Sequence, residues 1–151
     1  MNQPVPLDIS SDHMKQISQR FPGKYCELRN ICDFVKTFVE ESGFSEDESY
    51  EITMAVDEAC SNIIEHAYGA EDLGFIDCTC SFDSQILTIL LRDDGRSFSP
   101  QDIPKPNIHA ALKKRKNHGL GYFIMQKTMD EVHYSPNTGA GNQLLLRKYL
   151  D

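Results

Sequence analysis

The sequence predicts an α+β fold, a two-layer sandwich in which helices cover one face of a mostly antiparallel sheet. Apolar residues recur at helical spacing in two stretches of the first half of the chain, which indicates two amphipathic helices. Two pairs of alternating segments follow, each joined by turn residues, which indicates two β-hairpins. Because helices and hairpins come in groups instead of alternating one by one, the pattern favours α+β over a parallel α/β sheet.

The first helix is predicted to begin at Lys24, directly after a turn signal at residues 21–23. Gly43 is a typical C-terminal stop. The apolar stripe between them consists of Tyr25, Leu28, Ile31, Cys32, Val35, Phe38 and Val39. A short opening strand over residues 5–9 is predicted to precede this helix.

The second helix is predicted to begin after Ser45. Ser45 and Glu48 fit a capping box, in which each side chain accepts a hydrogen bond from a backbone N–H of the first turn. Gly69 is predicted to end the helix. Its apolar stripe consists of Ile52, Val56, Ala59, Cys60, Ile63 and Ala67.

Two hairpins are predicted from alternating apolar and polar residues. The first joins strands over 75–82 and 86–92, and the second joins strands over 131–135 and 142–149. Residues 97–105 are rich in proline and are predicted to form a loop, followed by a short helix over 107–116. A further helix is predicted to begin near Gly119 and to carry Phe123, Ile124 and Met129.

Composition narrows the function classes. The 151 residues, 40% hydrophobic and 25% charged, predict one globular domain over 1–151. The net charge of −8 repels nucleic acid, so no direct nucleic-acid partner is expected. The longest apolar run is too short to cross a membrane, and the N-terminus lacks the regions of a secretion signal. A cytoplasmic location is therefore expected.

The five cysteines contain no C-x-x-C pair. This spacing favours reduced thiols over a metal site. The alternation of the first predicted hairpin places Cys78 and Cys80 together on the buried face of a strand.

Three polar residues of the second helix are the first candidate site. Glu58, Asn62 and His66 are each four residues apart and therefore share one stripe beside the apolar face. Taken alone, this pattern slightly favours a solvated helix face. A magnesium site is the alternative, because an Asn carbonyl together with phosphates and waters suits that ion.

The second candidate site follows the strand over 86–92. Asp93 at a strand end can accept a hydrogen bond from an amino group, and Gly95 permits close approach of a flat ligand. Taken alone, Asp-Asp-Gly is more often a turn.

The third candidate site is Gly119-Leu120-Gly121, where glycines before a helix expose backbone N–H groups that favour phosphate. The segment does not match a Walker motif or a dinucleotide-binding motif. The basic run at 113–116 precedes it, and it is either a solvated face or a segment close to phosphates.

Together, in this order, the three sites resemble the Bergerat (GHKL) ATPases, the histidine kinase-like ATPase superfamily. In detail the sequence is similar to the anti-sigma factor serine/threonine-protein kinases (RsbW-like), over about residues 24–150. The segments that carry the resemblance are AVDEACSNIIEHAYG (55–69), LRDDGRSFSP (91–100), GLGYFIMQKTMDEV (119–132) and GNQLLLRKYL (141–150).

The resemblance implies roles for the helix residues and the strand end. Glu58 would be the catalytic base, and Asn62 the ligand of Mg²⁺. Asp93 would hold the adenine amino group of ATP, with Gly95 giving room. His66 matches a histidine of the family that lies close to the phosphates.

The resemblance also implies that residues 104–118 form an ATP lid. Gly119, Leu120 and Gly121 would contact phosphates at its end. The family often has Gly-Gly or Arg-Ser before the glycine pair, whereas this chain has Asn-His. The cation that meets the γ-phosphate therefore stays open between Arg115, Lys116 and His118.

The implied function is that of an ATP- and Mg²⁺-dependent serine/threonine protein kinase in a partner-switching regulatory module. Its substrate would be a STAS-domain anti-anti-sigma protein, and a sigma factor would be held by a homodimer. An ATP hydrolase, in which Glu58 would activate a water molecule, is chemically close. As such a hydrolase, however, this chain would lack the transducer domain that those enzymes carry. The main alternative is a nucleotide-dependent protein that sequesters a partner and phosphorylates nothing.

Overall fold

The computed structural model describes residues 14–98 and 120–151. Five strands in this part of the chain form one sheet, in the order β1–β2–β3–β5–β4. They are β1 (Lys15–Pro22), β2 (Phe75–Asp83), β3 (Ile86–Asp93), β4 (Glu131–Thr138) and β5 (Gly141–Tyr149). The helices of the same part are α1 (Leu28–Glu41), α2 (Glu46–Asn62) and α3 (Leu120–Thr128). A 3₁₀ turn over Tyr25–Glu27 precedes α1, and a π-helical turn over Ile63–Tyr68 continues α2.

Every neighbouring pair of strands in this sheet is antiparallel. Alternate residues of the central strands are buried on one face and pack against the apolar stripes of the helices. The inward residues of β2, β3 and β5 include Ile76, Cys78, Cys80, Leu87, Ile89, Leu91, Leu144 and Leu146. The predicted α+β architecture, with helices on one face of an antiparallel sheet, is confirmed.

Three predicted helix ends are confirmed as well, whereas α1 begins at Leu28 and not at the predicted Lys24, because residues 25–27 form the 3₁₀ turn. The Ser45 side chain accepts a hydrogen bond from the Glu48 amide over 3.1 Å, and the Glu48 carboxylate accepts one from the Ser45 amide over 3.0 Å. Gly43 and Gly69 adopt φ values of 106° and 83°, which favour glycine and end their helices. The two helices therefore lie where local sequence signals place them.

The strand β1 was not predicted. Its residues are exposed except near its C-terminal end, where Phe21 is buried opposite Ile76 of β2. An edge strand with one solvated side carries little of the apolar alternation that identifies strands. The predicted opening strand over 5–9 lies outside the described residues.

Two smaller predictions were wrong. Tyr25 belongs to the 3₁₀ turn and is 44% exposed, so it does not contribute to the buried stripe of α1. The strand β4 runs on to Thr138, with an irregularity between Ser135 and Thr138. Proline is tolerated there because β4 is an edge strand and the irregularity interrupts its pairing.

All five cysteines are free thiols, and Cys78 and Cys80 are buried as predicted. No helix in the described ranges is both long and apolar enough to cross a membrane. Residues 99–105 of the predicted loop and the whole predicted helix over 107–116 lie outside the described residues.

Candidate functional site

A pocket lies between the C-terminal end of α2 and the ends of the central strands. Its volume is about 280 Å³ when the open space at its mouth is included. Residues from five parts of the chain line it: Ala59, Asn62 and Ile63 of α2 and its π-helical turn, Asp93 and Phe98 at and after the end of β3, Met125 of α3, Tyr134 of β4 and Leu144 of β5. The wall is mostly apolar and aromatic, with two polar side chains.

Asn62 is one of these polar side chains. It is the last residue of α2 and is 3% exposed. Glu58 lies one α-helical turn earlier on the same helix and is half-buried. The predicted common face therefore holds for Glu58 and Asn62, and Asn62 reaches the pocket wall.

His66 does not continue this face with α-helical spacing, because residues 63–68 form a π-helical turn. Such turns are wider than α-helical ones and frequently occur at functional sites. The His66 ring packs against the Phe98 ring, with the ring centroids 5.5 Å apart. The structure therefore places His66 beside a residue of the pocket wall.

Asp93 is the second polar side chain of the pocket and is 2% exposed. Its Oδ1 atom accepts hydrogen bonds from the Gly95 amide over 2.9 Å and from the Asn142 side chain over 3.0 Å. Burial raises the pKa of Asp93 above its ordinary value, and these two donors act in the opposite direction.

The neighbouring Asp94 has a different environment. It is exposed, and its carboxylate pairs with Arg92 over 2.8 Å. Arg92 also pairs with Asp77 of β2 over 2.8 Å. Of the two adjacent aspartates in the predicted motif, the structure therefore places Asp93 in the pocket and Asp94 outside it.

Asn142 is a site residue that sequence analysis missed. It lies opposite Asp93 in the β3–β5 ladder and is 2% exposed. Its Nδ2 group donates to Asp93 Oδ1 over 3.0 Å and to the Gly95 carbonyl over 2.8 Å. Its Oδ1 atom accepts from the Ser97 hydroxyl over 2.8 Å and from the Asn137 amide over 3.0 Å. The register of β3 against β5 is the signal that would have found it, and the sequence does not state that register.

Gly95 is needed for packing within the protein. A Cβ atom on Gly95 would lie 2.6 Å from the Ala67 carbonyl carbon and oxygen. The next residue, Arg96, donates its backbone N–H to the Ala67 carbonyl over 2.9 Å. The segment after β3 therefore packs directly on the π-helical turn, whereas the expected approach of a ligand to Gly95 stays a prediction.

Tyr68 fixes the same turn from the other side. Its hydroxyl donates to the Phe75 carbonyl over 2.6 Å and accepts from the Asp94 amide over 3.0 Å. Gly74 leaves room for the Tyr68 ring, because a Cβ there would lie 2.4 Å from it. The loop between α2 and β2 is thereby tied to the end of β3.

Two aromatic residues of the pocket wall were also missed. Phe98 and Tyr134 lie with ring centroids 5.7 Å apart, and the Phe98 amide donates to the Tyr134 hydroxyl over 3.2 Å. Phe98 is part of the motif around Asp93, but nothing in its sequence context distinguishes it from a core residue. Tyr134 lies in a predicted strand without any functional signal.

The third predicted site is described only in part. The helix α3 begins at Leu120, so Gly121 lies in its first turn, as predicted. Lys116, His118 and Gly119 lie outside the described residues, as do Arg115 and the predicted lid over 104–118.

The arrangement of the described residues suits a flat ligand that carries an amino group. A buried carboxylate can accept a hydrogen bond from that amino group, and aromatic rings can contact its faces. An amide oxygen at the end of α2 is a suitable ligand for a hard cation such as Mg²⁺.

Comparison with known proteins identifies the family to which the chain belongs. The family described as "Histidine kinase-like ATPase domain" matches residues 21–148. The serine-protein kinase RsbW of Bacillus cereus (strain AH187) and that of Bacillus mycoides (strain KBAB4) are each 28% identical to the chain, with alignments that cover 92% of it and 88% of each relative.

A solved structure confirms the fold. A chain in the crystal structure of the SiaB–SiaC complex from Pseudomonas aeruginosa superposes with a TM-score of 0.61 at 11% identity, over 97% of this chain and 95% of that one. The family model, which covers most of the chain, confirms the resemblance noted in the sequence. The chain therefore belongs to the histidine kinase-like ATPase family and is similar to its RsbW-like serine-protein kinases.

Proposed function

We propose that this protein is an ATP- and Mg²⁺-dependent serine/threonine protein kinase. The observation that supports this most is the position of Asn62 and Asp93, which line one pocket between α2 and the sheet. Glu58 lies one helical turn from Asn62 on the same helix. In this proposal Asp93 at the end of β3 binds the adenine ring and Asn62 at the end of α2 binds Mg²⁺. Glu58, one turn earlier on α2, is the catalytic base.

The adenine end of the proposed site is the part around Asp93. An ionised carboxylate only accepts hydrogen bonds. Adenine presents an amino donor at its N6 position, whereas guanine presents a carbonyl acceptor at O6. Asp93 would therefore select adenine, and Phe98 and Tyr134 would contact the base.

The phosphate end would lie towards Asn62 and the first turn of α3. Asn62 would hold Mg²⁺ through its side-chain oxygen, and His66 would lie near the phosphates. Gly119, Leu120 and Gly121 would donate backbone N–H groups to phosphate oxygens, with help from Lys116 or His118. When bound, Mg²⁺ neutralises charge that develops on the transferred phosphoryl group.

Glu58 would act on the acceptor. It would take the proton of a serine or threonine hydroxyl as that oxygen attacks the γ-phosphorus in line with the departing ADP oxygen. Phosphoryl transfer needs little covalent help from a protein, so positioning and charge neutralisation by these residues would carry the reaction.

The RsbW relatives are named serine-protein kinases, which supports a protein acceptor. We propose that the acceptor is a STAS-domain anti-anti-sigma protein and that the chain works as a homodimer in the cytoplasm. A sigma factor would be the other partner of such a module. The whole chain, 1–151, would act as one catalytic domain.

Two measurements test this proposal. Isothermal titration calorimetry with ATP and GTP in the presence of Mg²⁺ should show tight binding of ATP and much weaker binding of GTP. Incubation with ATP, Mg²⁺ and the STAS protein encoded nearest to this gene should add one phosphoryl group to that protein, measured by its mass. Binding of the STAS protein without any mass change would instead support a nucleotide-dependent sequestering protein.

A further inference from the structure

The contacts of Asn142 use the whole hydrogen-bonding capacity of its side chain. Its amide group has two N–H donors and a carbonyl oxygen with two lone pairs. Both donors and both lone pairs are engaged, by Asp93, the Gly95 carbonyl, Ser97 and the Asn137 amide. The side chain is also almost completely buried.

This pattern fixes the orientation of the amide. A flipped amide would place its oxygen against two acceptors, the Asp93 carboxylate and the Gly95 carbonyl. It would also place its NH₂ group against the Asn137 N–H donor. Each mismatch would leave a buried polar group unsatisfied, which is costly. Asn142 must therefore present a donor to Asp93.

The same contacts give the two carboxylate oxygens of Asp93 different roles. Both hydrogen bonds found among the described residues, from Asn142 and from the Gly95 amide, are accepted by Oδ1. Oδ1 is thus held by the protein, whereas no residue in the described ranges donates to Oδ2, which can accept from a donor that enters the pocket. Donors directed at one oxygen also favour the charged carboxylate against the cost of its burial.

We infer that Asn142 is the positioning residue of this site. It holds Asp93 as an ionised, acceptor-only carboxylate with Oδ1 bound to the protein and Oδ2 presented to the amino group of a base. The part that concerns the base rests on the proposed nucleotide binding, whereas the effect on Asp93 does not. Asn142 itself touches no reacting atom.

Other charged or titratable groups around Asp93 are known from the structure. Arg92 and Asp94 lie on its own segment, Tyr68 lies in the turn after α2, and Tyr134 lies on β4. Arg92 and Asp94 pair with each other, so their fields at Asp93 oppose one another. A substitution at Asn142 changes none of these groups, so a change in the titration of Asp93 can be attributed to position 142.

The test compares two isosteric changes at adjacent residues. Asn142→Asp replaces the donor by a carboxylate, so two carboxyl groups in contact would share one proton. Gln143→Glu makes the same chemical change one residue along, where the side chain alternates to the other face of β5 and lies outside the pocket. Carboxyl ¹³C NMR of the ligand-free protein should show Asp93 titrating at a higher pH in Asn142→Asp than in the parent or in Gln143→Glu. An unchanged Asp93 titration in Asn142→Asp would overturn the inference, whether or not nucleotide binds.

A second arm measures ATP–Mg²⁺ affinity from pH 6 to 8.5. The Asn142→Asp variant should bind best at the acid end, where the shared proton restores a donor to Asp93, and should lose at least about tenfold in affinity as the pH rises. The parent and Gln143→Glu should show no such fall. A profile for Asn142→Asp that runs parallel to the parent would contradict the inference.

The NMR titration and the affinity measurement test the role of Asn142 and the proposed nucleotide binding separately. A parent that binds no ATP at any pH would refute the proposed function, while the NMR titration would still decide the role of Asn142. Should Asn142→Asp fail to fold, Asn142→Ser serves in its place, because a hydroxyl can still donate to Asp93 but cannot bridge all four partners. Its affinity should be lower than that of the parent with a parental pH profile. Parental affinity in Asn142→Ser would contradict the need for the amide.

Discussion

Asn62, the last residue of α2, and Asp93, the last residue of β3, line the same pocket, and each is at most 3% exposed. Two polar side chains from distant parts of the chain are thus removed from solvent at one point. Burial of polar groups is costly unless partners compensate. Asp93 has such partners in Asn142 and Gly95.

Asp93→Asn should weaken adenine binding and preserve the fold. The amide oxygen can still accept the hydrogen bonds from Gly95 and Asn142, and the cost of burying a charge disappears. Its NH₂ group would then meet the amino group of adenine as a second donor. Calorimetry should show ATP affinity reduced at least about tenfold, roughly 1.4 kcal/mol, with the melting temperature unchanged or raised. Parental ATP affinity in a folded variant would refute the assignment of Asp93.

Acid should weaken nucleotide binding through Asp93. Only the ionised carboxylate accepts the adenine amino group without competition, and burial raises the pKa of Asp93. Affinity should therefore fall as the pH drops through that raised pKa, at a higher pH than an exposed aspartate would cause. Measuring ATP affinity from pH 4.5 to 7.5 tests this, with Asp93→Asn as the control for titration of the phosphates. If ATP affinity fell equally at low pH in the parent and in Asp93→Asn, a group other than Asp93 would be responsible.

The same raised pKa has a consequence for folding stability. The folded protein binds a proton at Asp93 more tightly than the unfolded chain does, so this group favours folding most at low pH. Its contribution declines as the pH rises from the ordinary aspartate value through the raised pKa. The free energy of unfolding of the parent minus that of Asp93→Asn, obtained from denaturant titrations at each pH in this window, should decline as the pH rises. A difference that grows with pH would contradict the sign of the shift.

Asn62→Ala should remove the effect of Mg²⁺ on nucleotide binding. The change deletes the proposed ligand oxygen, and an alanine is accommodated easily at the wall of a pocket. Thermal-shift titrations with ATP, with and without Mg²⁺, should show the magnesium effect in the parent and not in the variant. Ser61→Ala is the matched control, because Ser61 precedes Asn62 on α2 and does not line the pocket. A full magnesium effect in Asn62→Ala would exclude Asn62 as the ligand.

Gly95→Ala should destabilise the protein. The added Cβ would lie 2.6 Å from the Ala67 backbone, so the segment after β3 must move off the π-helical turn. Overpacking of this kind costs about 1–3 kcal/mol. Gly139→Ala is the control, because a Cβ at Gly139 meets nothing within 4 Å, and its effect should stay within about 0.5 kcal/mol. Urea unfolding of the two variants measures both values, and equal stability of both would contradict the contact.

Local signals in the sequence predicted much of the fold. The capping box at Ser45, the stops at Gly43 and Gly69, and the alternation around Cys78 and Cys80 each depend on neighbouring residues alone. The strand β1 was missed because it lies at a sheet edge, where polar residues replace the inward apolar ones. The π-helical turn was missed because residue spacing does not reveal a change of helical pitch.

The candidate site was predicted in its polar residues and not in its walls. Asp93 stood out because it follows an apolar strand, and Asn62 because it lies one turn from Glu58. Tyr134 reaches the pocket, and Asn142 reaches Asp93, only through pairings between strands that are far apart in the chain. Such pairings depend on the packing of the whole sheet, which no local pattern states.

Phosphoryl transfer by the parent and by Glu58→Gln tests the central claim most directly. Both proteins would be incubated with ATP, Mg²⁺ and the cognate STAS protein, and the phosphorylated fraction of that protein would be followed by mass. The glutamine keeps shape and hydrogen-bonding capacity but cannot take the serine proton. ATP affinity should therefore stay near parental while the transfer rate falls by about 100-fold to 10,000-fold. A parent that leaves the STAS protein unmodified would contradict the kinase account, and a Glu58→Gln variant that works at the parental rate would show that Glu58 is not the base.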